Sequence, residues 1–145
     1  MANALFDPGR EGFLAGEIDW DTAVIKIALV RAYTFSAAHK FVSDVTGASG
    51  VLHVTSNALA SKTITNGVAD AADVSGGAFD AVAANGSNHS VLIFQSSAVT
   101  GGGDVAASAQ RLIAWLDTGT NFPIVPNGGN ITIAWDSGAN RIFKL

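Results

Sequence analysis

The sequence predicts a mainly β protein: an antiparallel β-sandwich or barrel-like domain with one or two short helices. Three observations carry that expectation. Short apolar runs recur along the 145 residues with turn-forming residues between them, the rhythm of a sandwich or barrel. One run, Val91-Leu92-Ile93-Phe94-Gln95, is apolar at four successive positions, as a strand covered on both faces must be. Stretches with helical period are few and short. A chain of this length makes one domain, and it buries about two-thirds of the surface its unfolded form exposes. The alternative arrangement is an α+β domain with N-terminal helices packed on one sheet.

Taken in order, residues 1–20 read as an N-terminal arm or short helix and residues 21–145 as a single β domain. Between Phe6 and Gly16, Asp7 is suited to cap a helix with Pro8 at its first position. Gly9 and Gly12 weaken that helix, and Gly16 ends it. Ile25 to Arg31 is a strand whose Ile25, Ile27 and Leu29 share a face. From Ser36 to Val45 the period changes. Ala38, Phe41, Val42 and Val45 fall at i, i+3, i+4 and i+7, with Ser36 as cap and Gly47 just beyond, which predicts a short helix.

Val51 to Thr55 and Ala60 to Thr65 read as strands, and Asn66-Gly67 is a tight-turn signal. Ala69 to Val74 and Ala78 to Ala83 are weaker extended stretches, and Thr100 to Asp104 is a Gly-rich loop. Two similar runs close the chain, Ile113 to Gly119 and Ile133 to Gly138, each a Trp-bearing strand ended by an acid and a Gly turn. With Arg141 to Leu145 they predict a three-stranded antiparallel meander. The expected core holds Ile25, Ile27, Leu29, Val91, Ile93, Leu112, Leu116, Ile131 and Ile133.

Composition narrows the function. Hydrophobic residues make up 48% but charged residues only 14%, against about 25% in an average globular protein. Such a surface suits a protein that ends up against other protein. Net charge of -4 with 8 Lys+Arg argues against a nucleic-acid footprint and against a polybasic membrane contact. The first residues lack the pattern of a secretory leader, so the expected site of synthesis is a cytoplasm. With no cysteine, thiol chemistry, disulfides and Cys-ligated zinc are excluded.

No catalytic, cofactor-binding or metal-ligating set is nominated. His39, His53 and His89 match no ligand-pair spacing and read as solvated or hydrogen-bonded structural histidines. Glu17-Ile18-Asp19-Trp20-Asp21 would place three carboxylates on one face if extended, a calcium-like array without the spacing of a calcium loop. Gly101-Gly102-Gly103 lacks the Lys-Ser/Thr of a phosphate loop. Trp20, Trp115 and Trp135 sit in β-patterned runs as core or interface anchors, with sugar stacking by Trp115 or Trp135 as the alternative. The expectation is a protein that is not an enzyme.

Several stretches taken together resemble a known group. They are Phe6-Asp7-Pro8-Gly9-Arg10-Glu11-Gly12-Phe13-Leu14-Ala15-Gly16-Glu17-Ile18-Asp19-Trp20 with Ile25 to Val30, then Tyr33-Thr34-Phe35, His39-Lys40-Phe41 and Ser43-Asp44-Val45, then Lys62 to Asp73. The closing part runs from Arg111 to Gly119, through Asn127-Gly128-Gly129, to Trp135-Asp136. This pattern resembles small virion structural proteins of tailed bacteriophages, most of all head-decoration (cement) proteins. The resemblance implies a cofactor-free subunit on the outer surface of the capsid, bound to the major capsid protein and clustered as a homotrimer. A tail or neck position, or a tail module that binds carbohydrate or receptor, is the alternative. The arm carries the expected intersubunit contact, through Phe6, Arg10, Glu11, Phe13 and Leu14, instead of folding back into its own core.

Overall fold

The computed structural model describes residues 3–99 and 102–145. The chain forms β1 (Ala4–Leu5), α1 (Asp7–Leu14), β2 (Ile25–Arg31), α2 (Val42–Gly47), β3 (Val51–Thr55), β4 (Thr63–Thr65), β5 (Val68–Asp70), β6 (Ser90–Gln95), β7 (Arg111–Leu116) and β8 (Phe143–Lys144). Two antiparallel sheets result, one of five strands in the order β1-β7-β6-β2-β3 and one of three in the order β4-β5-β8. The mainly β expectation is therefore met, with two short helices.

The apolar run at 91–95 occupies the middle of the larger sheet, and both of its faces are covered. Val91 and Ile93 join Ile25, Ile27, Leu29 and Ile113 beneath the smaller sheet, where Ala69, Phe79, Ile133 and Phe143 close the sandwich. Leu92 and Phe94 face the other way, with Ala28, Val30, Leu112 and Trp115, and are covered by Phe6 and by Val42 and Val45 of α2. The Asn66-Gly67 turn joins β4 to β5, with both residues at positive φ, as a two-residue hairpin requires. Leu116 and Ile131 are half-buried at the margin, not central as expected.

Residues 3–20 do not stand apart as an arm. β1 pairs with β7, and the Phe6 N–H donates to the Ile113 carbonyl at 3.0 Å. Phe6 itself is 0% exposed, against Phe35 with ring centroids 5.0 Å apart. Ile18 and Trp20 lie in the other core layer. The chain from Phe6 to Trp20 thus belongs to the same packed body as the rest.

Four local expectations are corrected. Phe6, not Asp7, precedes the first helical turn, because β1 pairing holds the backbone extended through Phe6. The second helix begins at Val42, not near Ser36. Phe41 bridges to Arg111, the Val42 N–H donates to the Gln110 carbonyl, and the Asp44 carboxylate accepts the N–H groups of Lys40 and Phe41 at 2.8 and 2.9 Å. These partners hold 40–41 out of the helix. The closing meander does not form either: β1 already fills the slot beside β7, so the chain leaves that sheet. Ile133 makes only an isolated bridge to Val74, and β8 pairs with β5. The 78–83 stretch is a short 3₁₀ turn at Gly77–Phe79 that buries Phe79, not a strand. The expected Gly-rich loop lies partly outside the described residues, at 100 and 101; its Asp104 pairs with Lys26 at 2.7 Å.

Candidate subunit interface

Helix α1 is pressed onto β7 along its glycine face. A Cβ at Gly9 would lie 2.8 Å from the Leu112 carbonyl oxygen, and one at Gly12 would lie 2.8 Å from the Ile18 side chain. The close approach sends the opposite side of the helix to solvent, and Leu14 is left 90% exposed. Beside it, Phe13 rests one edge on Phe143, with ring centroids 5.8 Å apart.

A groove of about 400 Å³ runs along this edge, lined by Leu5, Arg10, Phe13, Leu14, Lys144 and Leu145. Across Phe13 and Leu145 it meets a second hollow of about 280 Å³, reaching Trp20, Ile64 and Phe143. Ile64 and Leu145 are each 56% exposed. Large apolar side chains gathered on one face mark an interaction surface more often than scattered ones do. Arg10, ion-paired with Asp7 at 2.8 Å, and Lys144 put positive charge on the rim.

The expected interface residues therefore divide. Arg10, Phe13 and Leu14 share the groove, Glu11 is exposed outside its lining, and Phe6 is removed from any contact with a partner by its burial. Leu5, Ile64, Lys144 and Leu145 complete the surface and were not anticipated. For Lys144 and Leu145 the alternation through Phe143-Lys144-Leu145 was the sequence signal, and it says nothing of which helix the strand would meet.

Several other polar groups are engaged within the fold. Glu17 pairs with Arg111 at 2.8 Å. Asp19 turns back on Thr22, whose hydroxyl and N–H hold its carboxyl below the usual aspartate range. The 17–21 acids thus do not share a strand face. Among the described residues no group of three or more His, Cys, Asp and Glu side chains comes together, and no helix is long and apolar enough to cross a membrane. Trp20 and Trp115 are buried. Half-buried Trp135 borders a cleft of about 390 Å³ with Asn3, Thr118, Asp136 and Arg141, its indole N–H donating to the Ala72 carbonyl at 3.0 Å. His39 accepts or donates at Nδ1 with the Tyr33 hydroxyl, 2.8 Å away, while His53 and His89 meet each other.

No protein-family model, curated protein or solved structure matches the chain.

Proposed function

We propose that this protein is a structural subunit of a tailed-phage virion: a capsid decoration (cement) protein that, as a homotrimer, binds the major capsid protein on the outer surface of the head after synthesis in the host cytoplasm. The observation that carries the reading is the apolar groove around Phe13, Leu14 and Leu145, set in a surface with few charges. The resemblance of the Phe6–Trp20 and Arg111–Gly119 stretches to virion proteins supplies the biological setting. The groove takes an apolar segment of the capsid protein, and Arg10 and Lys144 at its rim favour carboxylates flanking that segment.

The physics of cementing asks little of each contact. A standard interface buries roughly 800 Å² per partner, and lattice symmetry repeats it. A subunit that binds the assembled shell and not free capsomers stabilises the shell by mass action. Copy number in purified virions tests the reading: hundreds of copies are expected, whereas a ring of about a dozen or fewer places the protein at the neck or tail. A Leu14→Asp variant should fold normally and bind capsids poorly; undiminished binding removes the groove from the interface.

A second reading, a tail module that binds carbohydrate, draws on Trp135 beside the Asp136 and Arg141 cleft. An aromatic face flanked by polar groups can stack a sugar ring and hydrogen-bond its hydroxyls. A glycan screen with Trp135→Ala as control separates the two readings, since cementing needs no sugar.

A further inference from the structure

Two imidazoles and a carboxamide converge where β3 meets the chain entering β6. His53 Nδ1 lies 3.0 Å from His89 Nε2, and Asn85 Nδ2 lies 3.1 Å and 3.3 Å from those same nitrogens. The three atoms form a nearly equilateral triangle. Donors about 2.0–2.1 Å from a tetrahedral ion stand roughly 3.3 Å from one another, so this triangle closely matches one face of such a shell. We propose that His53 Nδ1, His89 Nε2 and the Asn85 carboxamide form a binding site for a borderline divalent transition ion such as Zn²⁺, Ni²⁺ or Cu²⁺.

Three further features support it. His89 Nδ1 lies 2.9 Å from the Ser87 carbonyl, an acceptor only, so Nδ1 carries the proton and Nε2 presents its lone pair. That carbonyl is the kind of outer partner that orients metal-binding histidines. His89 is 1% exposed and is pinned through its backbone, which exchanges hydrogen bonds of 2.8 and 3.1 Å with Ile124. Finally, β2 steps from Leu29 to Val30 while β3 steps from Val54 to Leu52. His53 is the extra residue of that bulge, and bulges commonly re-aim a side chain at a functional site.

Binding needs two small adjustments. His53, which donates from Nδ1 to the His89 Nε2 lone pair in the free protein, presents the Nδ1 lone pair to the ion as the tautomer protonated at Nε2. Exposed Asn85 turns its amide to present oxygen and gives up the Ser87 N–H, now 3.1 Å from Oδ1. The donor set carries no anionic ligand, and the positive charge of Arg31 acts on His89, so the affinity is moderate.

The test is titration of the chelator-washed, full-length protein with Zn²⁺ and with Ni²⁺, followed by calorimetry and by the imidazole ¹⁵N resonances. One ion per chain is expected, with the His53 and His89 resonances moving together. His53→Ala should weaken binding by at least the roughly ten-fold that loss of an outer partner costs, and His39→Ala should leave it unchanged. Asn85→Asp should tighten it, because a carboxylate replaces the amide and offsets Arg31. Absence of saturable binding, binding that survives His53→Ala, or resonances of His39 moving in place of those of His53 and His89 overturns the site.

Discussion

Replacing Phe6 with alanine separates a packed N-terminal segment from one held for a neighbour. The ring is 0% exposed and is shared among Leu112 and Trp115 on β7, Val42 and Val45 on α2, and Phe35. Leu112 and Trp115 cannot move freely into the vacated space, since β7 is locked between β1 and β6. Phe→Ala at such a site costs about 3–5 kcal/mol, a large part of the roughly 5–15 kcal/mol that holds a domain folded. At about 2–4 °C per kcal/mol for a chain of this size, the melting temperature falls by roughly 6–20 °C. Urea unfolding followed by tryptophan fluorescence measures the loss, with Leu14→Ala as the exposed control, expected within about 0.5 kcal/mol of the parent. A Phe6→Ala protein as stable as the parent but unable to bind capsids would refute the packing argument and return the segment to the role of an intersubunit arm.

Two glycines should respond to alanine in opposite directions. At Gly9 the new methyl meets backbone atoms of Leu112 and Ile113 that cannot swing aside, so the crowding cost of about 1–3 kcal/mol exceeds the gain in helix propensity of about 1 kcal/mol. At Gly47 nothing lies within 4 Å, and Gly47→Ala should raise stability by about 0.4–1 kcal/mol; paired denaturation curves check both signs. Asp44→Ala should cost about 0.5–2 kcal/mol at neutral pH by removing the acceptor at the start of α2. Hydrogen bonds from the Phe41 and Lys40 N–H groups, with His39 nearby, hold the Asp44 carboxyl below its ordinary pKa. Its contribution is therefore complete above the unfolded-state pKa and fades as pH falls through the lower native one. The parent and variant stabilities should converge on acidification; a gap independent of pH contradicts the assignment.

What the sequence could show was whatever depends on a residue and its near neighbours. Ile25, Ile27 and Leu29 share the sandwich face because alternation alone decides it, and the 91–94 run had to be central because no strand facing water can be apolar at every position. Asn66-Gly67 fixes a hairpin with only its own backbone. The failures have one physical form: a distant segment competes for the same hydrogen bonds. Helical spacing at 38–45 loses its first half to Arg111 and Gln110, and the meander loses its place to Ala4 and Leu5 on β7.

The same limit governs the sites. Leu14 looked like part of an apolar arm, yet its exposure follows from Gly9 and Gly12 on the opposite side, which let α1 sink against β7 and Ile18 and turn residue 14 outward. The glycines that argued against a helix are the reason that this one presents its neighbour Leu14 to a groove. Phe6 and Leu14, eight residues apart, then stand in opposite settings: one anchors the segment in its own core and the other is left exposed at the groove. Stability and assembly should accordingly separate by residue within one short segment, with Phe6→Ala acting on folding and Leu14→Asp on the proposed binding. A protein in which both substitutions failed together would have its helix packed in some other way.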